Sequence, residues 1–410
     1  MVNRFFEHQN YGSSLEYYIF ELANYSFLVL LISIFYKLKY ININSFIVWS
    51  GIFFFPLLFN YFLISPFLFP DQFTYASELM SLKTHGVSID FIEKQDRTFS
   101  IFNNLLTIST NPITFSVKLL GLAPIPNYMT VTSLAFANKF FLFLSFLMLK
   151  NFFKNENILL LFFLIPSFLL YSSLSLRETI IILLGVFFLL NMLRDNYLIS
   201  LVLIIPLLIV KTQLFAFFAI YFIGRLIFRA HKNFYGLIIF LSSILIGVFI
   251  FEEIILQIVN YYRIGFYAED MDLGDGIYGY YAFSLYGDPE SLTLNSMFEL
   301  ILVAAIGLPK ILLMPLPNSW TNIFYPIQFL ESIFLVSLYL FIAIKNNLLR
   351  NHEFIYLSVV LIMSLMLYSL LAFNEGTFVR YRFSLFLPFV FAIYYLANSN
   401  QVDSSENNID

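Results

Sequence analysis

The 22 residues of Phe46–Phe67, FIVWSGIFFFPLLFNYFLISPF, contain no charged side chain. A helix needs about 20 mostly apolar residues to cross the hydrocarbon of a bilayer, so this stretch predicts a membrane-spanning helix. Runs of the same kind lie on both sides of it: Tyr17–Tyr36, Thr130–Leu149, Ile158–Leu174, Thr179–Leu193, Tyr197–Val210, Leu214–Phe228, Tyr235–Phe251, Ile323–Ile344, Phe354–Phe373 and Ser384–Ala397. Several fall short of full length. Tyr197–Val210 carries Pro206 and ends at Lys211, which predicts a broken or partly spanning helix. The pattern is that of an all-α polytopic membrane protein with about eleven spans.

Composition agrees. Of 410 residues, 60% are hydrophobic and 12% charged, against roughly 45–50% and 25% in soluble domains. Aromatic residues make up 20%, and 53 residues are Phe. A net charge of −4 excludes a general nucleic-acid binder. The absence of cysteine excludes disulfides, thiolate metal sites and a cysteine nucleophile. Met1–Leu15 holds Arg4 and Glu7 and leads into a full-length span, so the first helix is expected to be permanent rather than a cleaved leader.

Lys and Arg concentrate in cytoplasmic loops. An outward N-terminus puts Lys37, Lys39, Lys150, Lys154, Arg194, Arg225, Arg229, Lys232, Lys345 and Arg350 inside. That holds if Met297–Leu316 does not complete a crossing, and Pro309, Pro315 and Pro317 argue for a re-entrant or interfacial segment. If it does cross, there are twelve spans. Residues 1–397 then form one integral membrane domain with outer loops Pro70–Met129 and Glu252–Asn322, followed by a polar tail, Asn398–Asp410, expected to be disordered and cytoplasmic.

Arg177, Lys211, Arg380 and Arg382 fall at outer helix ends, against the usual bias. Such cations either snorkel or form a basic cluster suited to a phosphate or pyrophosphate, which guanidinium forks bind bidentately. Arg177 lies in the polar corner Ser172–Glu178. Glu178 is either its local ion-pair partner or a general base. Arg380 and Arg382, read as lying on a loop or strand end after Asn374–Thr377, would point the same way. Lys139 and Glu331 lie inside spans, where an intramembrane pair is the simplest reading.

In the outer loops, Asp71 stands at a helix exit and His85 is the histidine within a long outer loop. Either is a candidate base, although a solvated loop histidine is the plainer reading of His85. His8, His231 and His352 are dispersed over both sides, so no multi-histidine metal site is apparent. Glu269–Gly276 is acidic but misses the ligand spacing of a calcium loop. Tyr261, Tyr262, Tyr267, Tyr278, Tyr280, Tyr281 and Tyr286 suit sugar stacking as well as an interfacial belt, and Arg263 beside them is a further cation. Walker A, Rossmann, HExxH and GxSxG patterns are absent.

Ser172–Glu178 running into an apolar helix resembles the Ser-x-Arg-[Glu/Gln] segment of bacterial O-antigen and exopolysaccharide repeat-unit polymerases. Asp71–Tyr75, Met314–Trp320 followed by Glu331, and Gly376–Arg382 with Pro388 are similar to other segments of that family, in the same order. The resemblance implies a GT-C-like bundle in the bacterial cytoplasmic membrane. It implies a glycosyltransferase that joins polyprenyl-pyrophosphate-linked oligosaccharides at the outer face, using no cofactor or metal, beside a flippase and a chain-length regulator. Arg177, Lys211, Arg263, Arg380 and Arg382, with Tyr75 and Tyr381, would hold the substrate, and Glu178, Asp71 or His85 would activate the acceptor hydroxyl. The competing expectations are a lipid-linked oligosaccharide flippase, whose cations would line an internal path, and an O-antigen ligase.

Overall fold

The computed structural model describes residues 15–60, 71–84, 112–128, 130–153, 155–231, 234–272, 293–317, 324–371 and 375–406. No strand occurs among them; the elements are helices. Among the described residues four segments are long and apolar enough to cross a bilayer: Tyr18–Lys37, Tyr325–Lys345, His352–Leu371 and Phe378–Ser399. At a rise of about 1.5 Å per residue, twenty residues reach about 30 Å. Shorter apolar helices lie at Ile43–Leu58, Ser133–Leu149, Glu178–Leu193, Tyr197–Val210 and Thr212–Ile227.

The side chains reveal the solvent. In helix α1 (Leu15–Lys37), Ile19, Leu22 and Leu30 are 56%, 55% and 62% exposed, whereas Glu21 and Asn24 are at 0%. A helix facing water does the reverse. Hydrocarbon drives polar groups into the bundle and leaves leucines outside. The protein is α-helical and membrane-embedded.

The chain forms two compact units, Met1–Leu184 with Ile205–Thr212, and Gly185–Ile204 with Gln213–Asp410. The first contains α1, α2 (Ile43–Leu58), α3 (Asp71–Thr84), α4 (Pro112–Leu120), α5 (Ser133–Leu149), α6 (Glu156–Phe163) and α7 (Pro166–Ser172). Both α8 (Glu178–Leu193) and α9 (Tyr197–Val210) contribute to each unit. Trp49 of α2 is fully buried, with ring centroids 5.3 Å from Phe143, 5.4 Å from Phe146 and 5.3 Å from Phe163. Here the many phenylalanines have a use: edge-to-face and tilted rings fill a core in which burial from water cannot drive packing. Glu156 accepts from the Ser45 hydroxyl, from Asn42 N at 3.3 Å and from Lys150 at 2.9 Å, joining α2 to the α5–α6 turn.

The second unit continues through α10 (Thr212–His231), α11 (Phe234–Ile250), α12 (Glu252–Asp272), α13 (Met297–Leu313), α14 (Phe324–Lys345), α15 (His352–Leu371) and α16 (Glu375–Glu406). Tyr221 and Tyr356 stack at 5.1 Å, and the Tyr356 hydroxyl donates to Tyr221 O at 2.8 Å. Arg225 of α10 bridges Asp195, at 3.4 Å, and Glu353. Helices α13 and α15 approach closely at Gly307, where a Cβ would collide with Ser369 Oγ.

Five local expectations change. Ile158–Leu174 is two helices, because Pro166 begins α7 and holds Ile165 extended at φ −57°, ψ 127°. Tyr197–Val210 is unbroken at Pro206, although its 14 residues leave it a partial span, and Met297–Leu313 is one helix despite Pro309. A single lost hydrogen bond does not end a helix in this setting. Ser296 and Glu299 start α13 firmly: Ser296 Oγ accepts from Glu299 N at 3.2 Å, and Glu299 Oε2 accepts from Asn295 N at 2.7 Å. Arg380–Arg382 lie not on a loop or strand end but within α16. Residues two apart on a helix differ by about 200° around the axis, so the two arginines diverge. Finally, α16 runs on to Glu406, through most of the segment expected to be disordered.

Candidate functional site: a clamped polar corner

In the first unit the chain turns from α7 into α8 through Ser172–Arg177, and this polar segment is almost wholly buried. Backbone groups outside regular helix need partners when water is excluded, and side chains from three elements supply them. Asn60 Nδ2 donates to Ser173 O at 3.0 Å and to Pro56 O at 2.8 Å. Asn138 Nδ2, on α5, donates to Leu174 O at 2.9 Å and Leu176 O at 2.8 Å. Gln72 Oε1, on α3, accepts from Ser175 N at 3.0 Å. The peptide joining Leu174 to Ser175 is thus held at its carbonyl by Asn138 and at its N–H by Gln72. Beside Asn138, Lys139 Nζ lies 2.6 Å from Ser172 Oγ and 3.4 Å from Leu169 O.

The clamp extends to the first helix. Ser175 Oγ donates to Val131 O. Thr130, Thr132 and Ser133 form a hydroxyl cluster, with Thr130 Oγ1 3.3 Å from Thr132 Oγ1 and 2.8 Å from Ser133 Oγ. Thr132 Oγ1 donates to Glu21 Oε1, and Asn24 pairs with the backbone of Asn127 in both directions, at 2.8 and 2.9 Å. Ionisable groups inside membrane helices are costly to bury, so Glu21 and Lys139, both at 0% exposure, are expensive residues to keep.

What the clamp presents is a pair. Arg177 is half-buried, and Glu178, 6% exposed, is the first residue of α8. Helix N-termini carry partial positive charge, so the guanidinium and the head of α8 together favour an anion, with a carboxylate alongside. Lys211, 9% exposed, belongs to the same unit, at the turn from α9 into α10. On α3, Asp71 is exposed while Tyr75 is 5% exposed, and it is the intervening Gln72 that holds the corner.

The arginines of the second unit are differently engaged. Arg382, 4% exposed, donates through Nη1 to Ile311 O, Leu312 O and Met314 O at 3.3, 3.2 and 2.6 Å. It caps the C-terminus of α13, where carbonyls lack intrahelical donors and a cation suits the dipole. Arg263, 1% exposed, donates to Leu370 O at 2.9 Å in the last turn of α15. Tyr381 packs on Tyr368 at 4.8 Å, and Arg380 is half-buried. His85, the tyrosines 278–286 and Asn318–Trp320 lie outside the described residues. Among the described residues no group of three His, Asp or Glu side chains could hold a metal ion.

No protein-family model, curated protein or solved structure matches the chain.

The residues that build the clamp had a signal in the sequence. Glu21, Asn24, Asn60 and Asn138 are polar residues inside or at the ends of long apolar runs, where such groups turn inward by default.

Proposed function

We propose that the protein is a repeat-unit polymerase of the bacterial cytoplasmic membrane, with about eleven spans and an outward N-terminus. It joins polyprenyl-pyrophosphate-linked oligosaccharides at the outer face. The observation that carries the reading is the clamped corner, which holds Arg177 and Glu178 together at the head of α8 inside a membrane chain. Arg177, with Lys211, neutralises the departing diphosphate as the glycosidic bond breaks. Glu178, or Asp71, takes the proton of the attacking sugar hydroxyl. Arg263 and Arg382 are left out of this role, because donors of both already cap helices. No nucleotide sugar is required.

Deleting the gene tests the reaction class. Loss of polymer with single repeat units still delivered to the surface supports a polymerase; units trapped on the inner face overturn it in favour of a flippase. Arg177→Ala, inserted at normal level, abolishes polymer. Wild-type chain lengths in that variant refute the diphosphate role.

A further inference from the structure

We infer that Glu21, a buried carboxylate on the first helix, is a positioning residue for the Ser172–Glu178 corner, acting through Thr132 and the Val131 carbonyl on Ser175. The inference rests on the polymerase reading for its kinetic test only. Glu21 and Asn24 lie one turn apart on α1, so both face the same neighbour. That neighbour is the segment 127–133: Asn24 fixes its start through the Asn127 backbone, and Glu21 fixes its end through Thr132. Between them Val131 presents its carbonyl to Ser175, whose N–H is held from the other side by Gln72.

The connection is mechanical. Carbonyl oxygen carries no proton to pass on, so the contact between Val131 and Ser175 interrupts any proton relay from Glu21 to Glu178. What passes is position. The anchor at Glu21 is a fully buried side-chain oxygen that accepts from the Thr132 hydroxyl, with no water to replace it if it is removed. Without it, residues 130–133 lose their tie to α1, the Val131 carbonyl drifts, and the Arg177–Glu178 pair loses registry with substrate. A displacement near 1 Å at a reacting group costs up to about a hundredfold in rate.

The test uses the full chain in proteoliposomes with synthetic lipid-linked repeat units. Glu21→Ala lowers kcat about tenfold or more, with KM within about twofold. Glu21→Gln, which still offers an oxygen to Thr132, restores most of kcat. Ser175→Ala lowers kcat similarly, and Glu21→Ala/Ser175→Ala is no worse than the poorer single variant. Multiplying losses overturn the proposal. Should Glu21→Ala fail to insert, Thr132→Val against Thr132→Ser decides the same point: the valine loses kcat and the serine keeps it.

A second arm needs no activity. The chain has no cysteine, so Arg177→Cys supplies a single thiol. Adding Glu21→Ala raises its maleimide labelling rate several-fold if Glu21 holds the corner, and an unchanged rate overturns the inference. If wild-type protein is inert toward lipid-linked units while labelling still shifts, the polymerase reading fails and the positioning role stands.

Discussion

The two units use their described arginines in opposite ways. In the first, neutral amides and Lys139 hold the backbone: Asn60, Asn138 and Gln72 satisfy the corner, Lys139 reaches Leu169 O, and Arg177 beside them stays half-buried. In the second, arginines do the holding, with Arg382 on the end of α13 and Arg263 on the end of α15. An arginine near a membrane surface is therefore not in itself a ligand site. What matters is where its donors go. The sharpest break of this comparison is a pair of substitutions measured side by side. Arg177→Ala abolishes polymer without altering protein level or thermal midpoint in detergent. Arg382→Ala removes the donor to three carbonyls and costs about 1–3 kcal/mol, seen as a lower midpoint, while activity per folded molecule stays within about threefold of wild type. Loss of activity at full stability in Arg382→Ala would erase the distinction.

A smaller effect sharpens the second unit's side of the contrast. If α13 is anchored by its Arg382 cap, its packing on α15 must be exact nearby, and Gly307 is the contact point. A methyl group there overlaps Ser369 Oγ, which itself lies 3.2 Å from Ala304 O. Gly307→Ala is expected to cost about 1–3 kcal/mol by overpacking. Ser369→Gly in the same chain recovers part of it, since both clashing atoms leave. Equal midpoints for wild type and Gly307→Ala would mean that the helices are free to separate at this point.

How much of this was legible in the sequence follows from solvent. Lipid imposes long apolar runs, so helices such as Tyr18–Lys37 and His352–Leu371 could be read directly. The corner could be found as well, because Ser172–Glu178 sets five polar or charged residues between two apolar runs. Its partners could not. Gln72 reaches Ser175 across 103 positions and Asn60 reaches Ser173 across 113, and no local pattern records such pairings. Proline misled in both directions: Pro166 breaks a run that looked continuous, while Pro206 and Pro309 sit inside continuous helices. Neighbouring helices and lipid decide which proline ends an element. Arg380 and Arg382 share a face only under an alternation of period two, and the segment is helical.

The smallest expected effect concerns the Glu156–Lys150 ion pair of the first unit. Burial alone would raise the Glu156 carboxyl, but the Ser45 hydroxyl, Lys150 and the Asn42 N–H outweigh it and hold the group below its ordinary value. A carboxylate depressed in the folded state contributes stability that is fully present above its unfolded value, about 4.3. That contribution disappears as pH falls through the lower folded value. Thermal midpoints of detergent-solubilised protein should accordingly hold level from neutral pH to about 5 and then decline. Glu156→Gln should start slightly lower and decline less, because the glutamine still accepts from Ser45 but carries no titrating charge. This pair, like Arg382, is committed to structure, so the variant should leave polymer length unchanged. A shortened polymer would show that the aromatic core of the first unit transmits strain to the corner, and the division between holding and reacting groups would have to be redrawn there.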